Sequence, residues 1–265
     1  KTLTAFLWAL NQLITGQWPV GHTSVLYVSP LRALNNDIRR NLLTPLEQLA
    51  QYFEADGIAF PLIRPMTRSG DTPPEDRRRM LRQPPEILIT TPESLNLLLS
   101  SKSGRGMLGT VQSVILDEIH AVVGSKRGVH LITAVDRLVR LSGDFQRIAL
   151  SATVRPLDRI AEFVGGLQRE SDGRRPRQVQ IVESTTSKEY DVRVRFPQTA
   201  IDQAEDDDSV WPALVEVFKG IISNNRSTLV FANARRLCEK LTLMLNDEHE
   251  RPLAYAHHGS LSREI

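Results

Sequence analysis

The chain has 265 residues, with 33 Lys and Arg against 31 Asp and Glu for a formal net charge of +2, and its hydrophobic content is 41%. That balance builds one large globular domain or two smaller ones, excludes a disordered polyelectrolyte, and includes no apolar run near the roughly 20 residues that cross a bilayer. Cys238 is the one cysteine, which rules out an internal disulfide or a Cys-rich metal site and reads as an intracellular, cytoplasmic chain with no membrane partner.

Lys1-Thr2 leads into a helical apolar pattern of Leu3, Phe6, Leu7, Leu10, Leu13 and Ile14. A Lys-Thr pair opening a helix is how a phosphate-binding loop ends (G-x-x-x-x-G-K-[ST]). The glycines that precede such a pair are absent, so the chain reads as starting inside that loop. Alternating segments follow: a strand at 23–29, a helix from Leu31, a strand at 62–66, a short helix after Pro74, a strand at 86–90 and a helix after Pro92. A strand at 111–116, a helix near 128–141, a strand at 147–150, a helix at 156–163 and a strand at 178–182 continue the series. Strands alternating with amphipathic helices predict a parallel sheet flanked by helices on both faces.

The pattern breaks over 184–209, which holds an alternating segment at 190–196 and the acidic run Glu205-Asp206-Asp207-Asp208. That stretch reads as an interdomain connection. A second α/β unit then starts, with Ser209 as N-cap, a helix through Val217-Phe218, a strand at 227–231, a helix at 235–245 and a short strand at 253–256. The expected organisation is therefore residues 1–184 as an α/β nucleotide-binding domain, 185–208 as a linker, and 209–265 as an unfinished second domain.

The 111–116 strand delivers Asp117-Glu118-Ile119-His120 at its carboxyl end, where open parallel sheets bind phosphates. If Lys1 meets β/γ-phosphates and the Thr2 hydroxyl meets magnesium, the ion needs an acidic partner on a neighbouring strand end, and Asp117 fits. Glu118 can orient and deprotonate an attacking water. His120 and the hydroxyls of Ser151 and Thr153, in Ser151-Ala152-Thr153, can hydrogen-bond across neighbouring strand ends and respond to the γ-phosphate.

Two more strand ends repeat one design. Ser29 caps a helix with Pro30 at its first position and Arg32 in its first turn, and Thr91-Pro92-Glu93-Ser94 does the same. Free helix N–H groups beside a hydroxyl suit phosphate, and several such ends suggest a polymer of phosphates. Basic runs at Arg77-Arg78-Arg79-Met80-Leu81-Arg82 and Arg174-Arg175-Pro176-Arg177 add local positive charge.

Lys1-Thr2, Val28-Ser29-Pro30-Leu31-Arg32-Ala33-Leu34, Thr91-Pro92-Glu93-Ser94-Leu95, Asp117-Glu118-Ile119-His120 and Ser151-Ala152-Thr153 resemble, in order, motifs I, Ia, Ib, II and III of superfamily 2 DEAD/DEAH-type helicases. Thr67-Arg68-Ser69-Gly70-Asp71-Thr72-Pro73, Gly124-Ser125-Lys126-Arg127-Gly128, Leu229-Val230-Phe231-Ala232-Asn233 and His257-His258-Gly259-Ser260 are similar to the large helicase-related (Lhr) family. The resemblance implies a RecA-like P-loop NTPase domain followed by part of a second one, with ATP and Mg2+ between them. It implies 3′-to-5′ movement on single-stranded or partly duplex nucleic acid, DNA favoured over RNA, in DNA repair. It gives Lys1 and Thr2 to phosphates, Thr2 and Asp117 to the metal, Glu118 to water activation, and His120, Ser151 and Thr153 to coupling. Nucleic acid would meet Pro30, Arg32, Arg68, Thr91 and Ser94, then His258, Gly259 and Ser260. The loop glycines and motifs V and VI are not among these residues, so the resemblance also implies a fragment that hydrolyses little ATP alone. An RNA helicase, or a non-catalytic nucleic-acid-binding module, remains as an alternative reading.

Overall fold

A computed structural model describes every residue except 31, 153, 171–172, 184–188, 196–209, 248–250 and 258–265. It divides into two compact units, Lys1–Ser184 and Thr185–Ile265. The first unit runs α1 (Thr2–Ile14), β1 (Val25–Val28), α2 (Arg32–Ala55), β2 (Pro65–Arg68), α3 (Pro74–Arg82) and β3 (Ile87–Thr90). It continues with α4 (Pro92–Ser100), α5 (Lys102–Leu108), β4 (Ser113–Leu116), a 3₁₀ turn (Ile119–Ala121), α6 (Lys126–Ser142), β5 (Gln146–Ala149) and α7 (Leu157–Gly165).

The five strands form one parallel sheet in the order β2-β3-β1-β4-β5. The three central strands are buried at every position, as the near-continuous apolar runs of a sheet covered on both faces require. Side-chain alternation sorts them into two cores. Val25, Tyr27, Ile87, Ile89 and Ile115 pack with Phe6 and Leu10 of α1 and Leu42 of α2. Leu26, Val28, Leu88, Val114 and Leu116 pack with Met80 of α3, Leu95 of α4, Met107 of α5 and Leu131 of α6. Pro45 lies inside α2, where it removes a helical hydrogen bond, yet the helix persists because Leu42 and Leu46 beside it are buried.

Register is what positions the site. Val28 pairs with both Thr90 and Leu116, Arg68 pairs with Thr90, and Leu116 pairs with Ala149. All five carboxyl ends are therefore level, and Ser69, Thr91, Ser29, Asp117 and Leu150 follow them along one edge.

The structure departs from the expected elements at several places. The edge strand expected at 62–66 lies at Pro65–Arg68, because pairing of Pro65 with Ile87 sets its start and a proline is tolerated as the first residue of an edge strand. Helix α5 carries two glycines and so has little propensity, but Ser101 caps it by accepting from the Gly104 N–H at 3.0 Å. A Cβ at Gly104 would stand 2.3 Å from the Leu98 carbonyl oxygen, so that approach admits only glycine. The expected strand at 178–182 is absent; an antiparallel hairpin, β6 (Leu167–Glu170) with β7 (Gly173–Pro176), precedes it. Its arginine-rich sequence gives no apolar alternation. Arg177 closes its base instead, donating to the carbonyls of Gly165 at 3.1 Å and Leu167 at 2.8 Å.

The second unit holds α8 (Val210–Ser223) and α9 (Arg235–Asn246), with Val215, Leu241 and Leu245 buried and the Lys240 ammonium 4.2 Å from the Trp211 ring centroid. The strands expected at 227–231 and 253–256 are not formed among the described residues. An apolar segment becomes a strand only when a neighbour completes its ladder. Here the Asn246 carboxamide takes the backbone of Leu253 and Ala254 at 2.8–2.9 Å, and Phe231 is 91% exposed.

Candidate functional site

Three backbone bonds shape the turn after β4. Asp117 N–H donates to the Val28 carbonyl of β1 at 2.9 Å, Leu150 N–H donates to Leu116 at 2.8 Å, and Ile119 N–H donates to Leu150 at 3.1 Å. Glu118, pinned between these anchors, takes a left-handed conformation (φ 49°, ψ 40°). Such a conformation costs a non-glycine residue about 1–3 kcal/mol and persists where its surroundings over-determine it.

Asp117 is buried, and both of its oxygens are engaged: Oδ1 accepts the Glu118 N–H at 2.8 Å and Oδ2 accepts the Tyr27 hydroxyl. Tyr27 is fully buried in β1 and stacks on Phe6 of α1, with ring centroids 5.5 Å apart. Burial, the hydrogen bond to Asp117 and the nearby negative charges of Asp117 and Glu118 hold its phenol far above the ordinary range. It therefore remains a donor that orients the carboxylate. Nothing in the motif residues marks Tyr27; the available signal is a lone aromatic within an aliphatic strand, on the face that meets α1.

Glu118 Oε2 lies 3.1 Å from His120 Nδ1. The same nitrogen is 3.4 Å from Ser151 Oγ and accepts the Ala152 N–H at 3.3 Å. One ring nitrogen either carries a proton for Glu118 or offers a lone pair to Ala152, so these contacts are alternatives selected by the tautomer. Lys1 Nζ donates to the Ser151 carbonyl at 3.1 Å, which brings the opening residue to the end of β5. Thr2 is partly buried in the first turn of α1, and Thr153 is outside the described residues.

Toward the β2 edge stand the residues assigned to nucleic acid. Ser29 and Pro30 are buried; Arg32 starts α2, and its side chain is outside the described residues. Thr91 caps α4, accepting the Ser94 N–H at 3.4 Å, and donates to Ser94 Oγ at 3.3 Å. Arg68 ends β2 and donates to the Ser69 carbonyl at 3.2 Å. Burial first, then the charge of Arg77, lowers its pKa, and no described carboxylate pairs with it. A part-buried guanidinium beside another one suits an anion. His258, Gly259 and Ser260 are outside the described residues.

The helices that follow β3 and β4 are tied together near this edge. Glu93, in the first turn of α4, takes Arg127 in a bidentate pair at 2.6 and 3.2 Å. Ser125 caps α6 and donates to the Val122 carbonyl at 2.6 Å. Gly128 sits so close that a Cβ there would be 2.3 Å from that oxygen. The segment 124–128 thus fixes the turn after His120.

A RecA-like helicase domain is the class that this sheet and this edge define. Residues 1–160 match the family model for DEAD/DEAH box helicases, and the chain belongs to that family. Within it, the chain is 41% identical along its whole length to the Lhr helicase/probable uracil glycosylase of Mycolicibacterium smegmatis, covering 19% of that protein. It is 42% identical along its whole length to the ATP-dependent helicase Lhr-Core of Methanothermobacter thermautotrophicus, covering 31% of that one. The solved Mycobacterium smegmatis helicase Lhr bound to ssDNA and AMP-PNP superposes with a TM-score of 0.81 at 44% identity, over 99% of this chain and 33% of that one. The chain thus spans about a fifth to a third of the length of these relatives. No described helix is long and apolar enough to cross a membrane.

Proposed function

We propose that the chain forms the ATP-hydrolysing side of an Lhr-type helicase that moves 3′-to-5′ along single-stranded DNA and serves DNA repair. Residues 1–184 act as the RecA-like ATP-binding domain, 185–208 as linker, and 209–265 as part of a second RecA-like domain. The observation that carries this reading is the shared carboxyl edge: Asp117, Glu118, His120, Ser151 and Lys1 gather at the β4–β5 side, and Ser29, Thr91 and Arg68 line the rest.

The residues fit a nucleotide and its metal. Lys1 donates to the Ser151 carbonyl among the described residues, and an ammonium has three donors, so it can hold that carbonyl and phosphate oxygens together. Among the described residues each Asp117 oxygen accepts one bond, and a carboxylate oxygen has a second lone pair to offer. Among the described residues no three His, Cys, Asp or Glu side chains converge on a metal. Magnesium is held by one or two protein ligands and completes its shell with phosphate and water. Thr2 and Asp117 hold the ion, Glu118 orients and deprotonates the water, and His120 with Ser151 and Thr153 relays the outcome. ATP with magnesium supplies the phosphoanhydride whose hydrolysis drives movement.

Pro30, Arg32, Arg68, Thr91 and Ser94, with His258, Gly259 and Ser260, contact the strand. Phosphate contacts do not identify the sugar. The preference for DNA rests on the solved relative, which is bound to ssDNA. In a strand-separation assay with the full-length protein and ATP, a 3′-tailed DNA duplex should be opened and a 5′-tailed one left intact. Equal opening of both, or activity confined to RNA, would overturn the stated polarity and substrate.

A further inference from the structure

The arginine run of α3 divides on folding. Arg77 turns back to fasten the preceding loop, donating to the carbonyls of Thr72 at 2.7 Å and Gly70 at 2.6 Å. Met80 is buried in the core. Arg78, Arg79 and Arg82 take the opposite, exposed face, since residues two, one and two positions from Met80 turn away from it at 100° per residue. With Glu75 and Gln83 they line a surface concavity of about 530 Å³.

Three guanidinium groups therefore share this hollow with one carboxylate. No described acid forms an ion pair with any of the three, although neighbouring Arg64 is paired with Glu86 and Arg127 with Glu93. Arg78 and Arg82 are four apart, where like charges on a helix oppose each other. Concentrated positive charge that the protein leaves unneutralised suits a polyanion. Helix α3 leaves the carboxyl edge through the loop after Arg68 and runs back toward the amino end of the sheet, where β3 begins at Ile87, so the three arginines extend away from that edge along the flank of the domain.

We propose that Arg78, Arg79 and Arg82 form an auxiliary phosphodiester-binding surface, which holds nucleic acid beyond the carboxyl edge. It rests on the nucleic-acid reading above. The test is equilibrium binding of the full-length protein to a single-stranded oligonucleotide and to a blunt duplex of equal length, over a salt series. The R78Q/R79Q/R82Q variant should bind one or both probes about tenfold or more weakly, with the slope of log affinity against log salt reduced by about 2 to 3. Loss on the single strand or on the duplex identifies which form the surface holds. The corresponding triple lysine variant should keep affinity and slope, because the charge is kept.

If the glutamine variant matches wild type on both probes while Arg68→Ala weakens binding, the auxiliary surface is refuted and the edge reading stands. If the lysine variant loses as much as the glutamine variant, the arginines are structural and the proposal also falls. Wild-type protein that binds neither probe would remove the function reading and this surface with it.

Discussion

Glu118→Gln in the full-length protein lowers nucleic-acid-stimulated ATP hydrolysis by about 10²- to 10⁴-fold while ATP binding survives. Glutamine keeps the length of the side chain and the backbone cost of the left-handed turn at φ 49°, so the substitution removes basicity and little else. The anchors of the turn, which run from Asp117 to β1 and from Ile119 to β5, do not involve the Glu118 side chain. Steady-state turnover and binding of a fluorescent nucleotide separate the two effects. Unchanged turnover would take water activation away from Glu118 and favour a non-catalytic module.

Glu86→Ala has the largest expected effect on stability. Glu86 is fully buried at the amino end of the sheet, where it accepts Nη2 of Arg64 at 3.0 Å and Nε at 3.2 Å, with the N–H groups of Gly21 at 2.7 Å and Arg64 at 2.8 Å. Removing one partner of a buried, multiply bonded ion pair costs about 3–5 kcal/mol, which lowers the melting temperature by roughly 10 °C. Burial alone would raise the Glu86 pKa, but the Arg64 guanidinium and the backbone donors outweigh it and hold the carboxyl below its ordinary value of 4.5. A carboxyl depressed in the folded state stabilises above its unfolded pKa and loses that contribution as pH falls through the folded one. The difference between wild type and variant in thermal melts should be full at neutral pH and shrink below about pH 4.5. A difference that is absent at neutral pH, or that grows in acid, would contradict this role.

The central sheet was legible because β1, β3 and β4 are buried on both faces, which forces unbroken apolar runs. The same burial made the strand ends legible, since Ser29, Thr91 and Asp117 each follow directly on such a run. Edges were less so. Around 62–66 the apolar residues outrun the ladder, and pairing with Ile87 decides where β2 begins. Helix α5 and the β6–β7 hairpin escaped because glycines at a close contact and an arginine-rich ladder carry no periodic signal. In the site, motif residues announced Asp117, Glu118 and His120 but not Tyr27, whose role comes from a pairing between strands 90 residues apart. The split of Arg77 from Arg78, Arg79 and Arg82 was equally hidden, because it depends on which face of α3 the core claims.

ATP hydrolysis by the full-length protein, followed with and without a single-stranded DNA oligonucleotide, tests the shared carboxyl edge most directly. Because Asp117 and Glu118 stand on the same level row of strand ends as Ser29, Thr91 and Arg68, DNA should accelerate turnover severalfold or more, and Arg68→Ala should weaken that response without abolishing the basal rate. Turnover that is indifferent to DNA, or absent in its presence, would contradict the assignment of one edge to both nucleotide and strand.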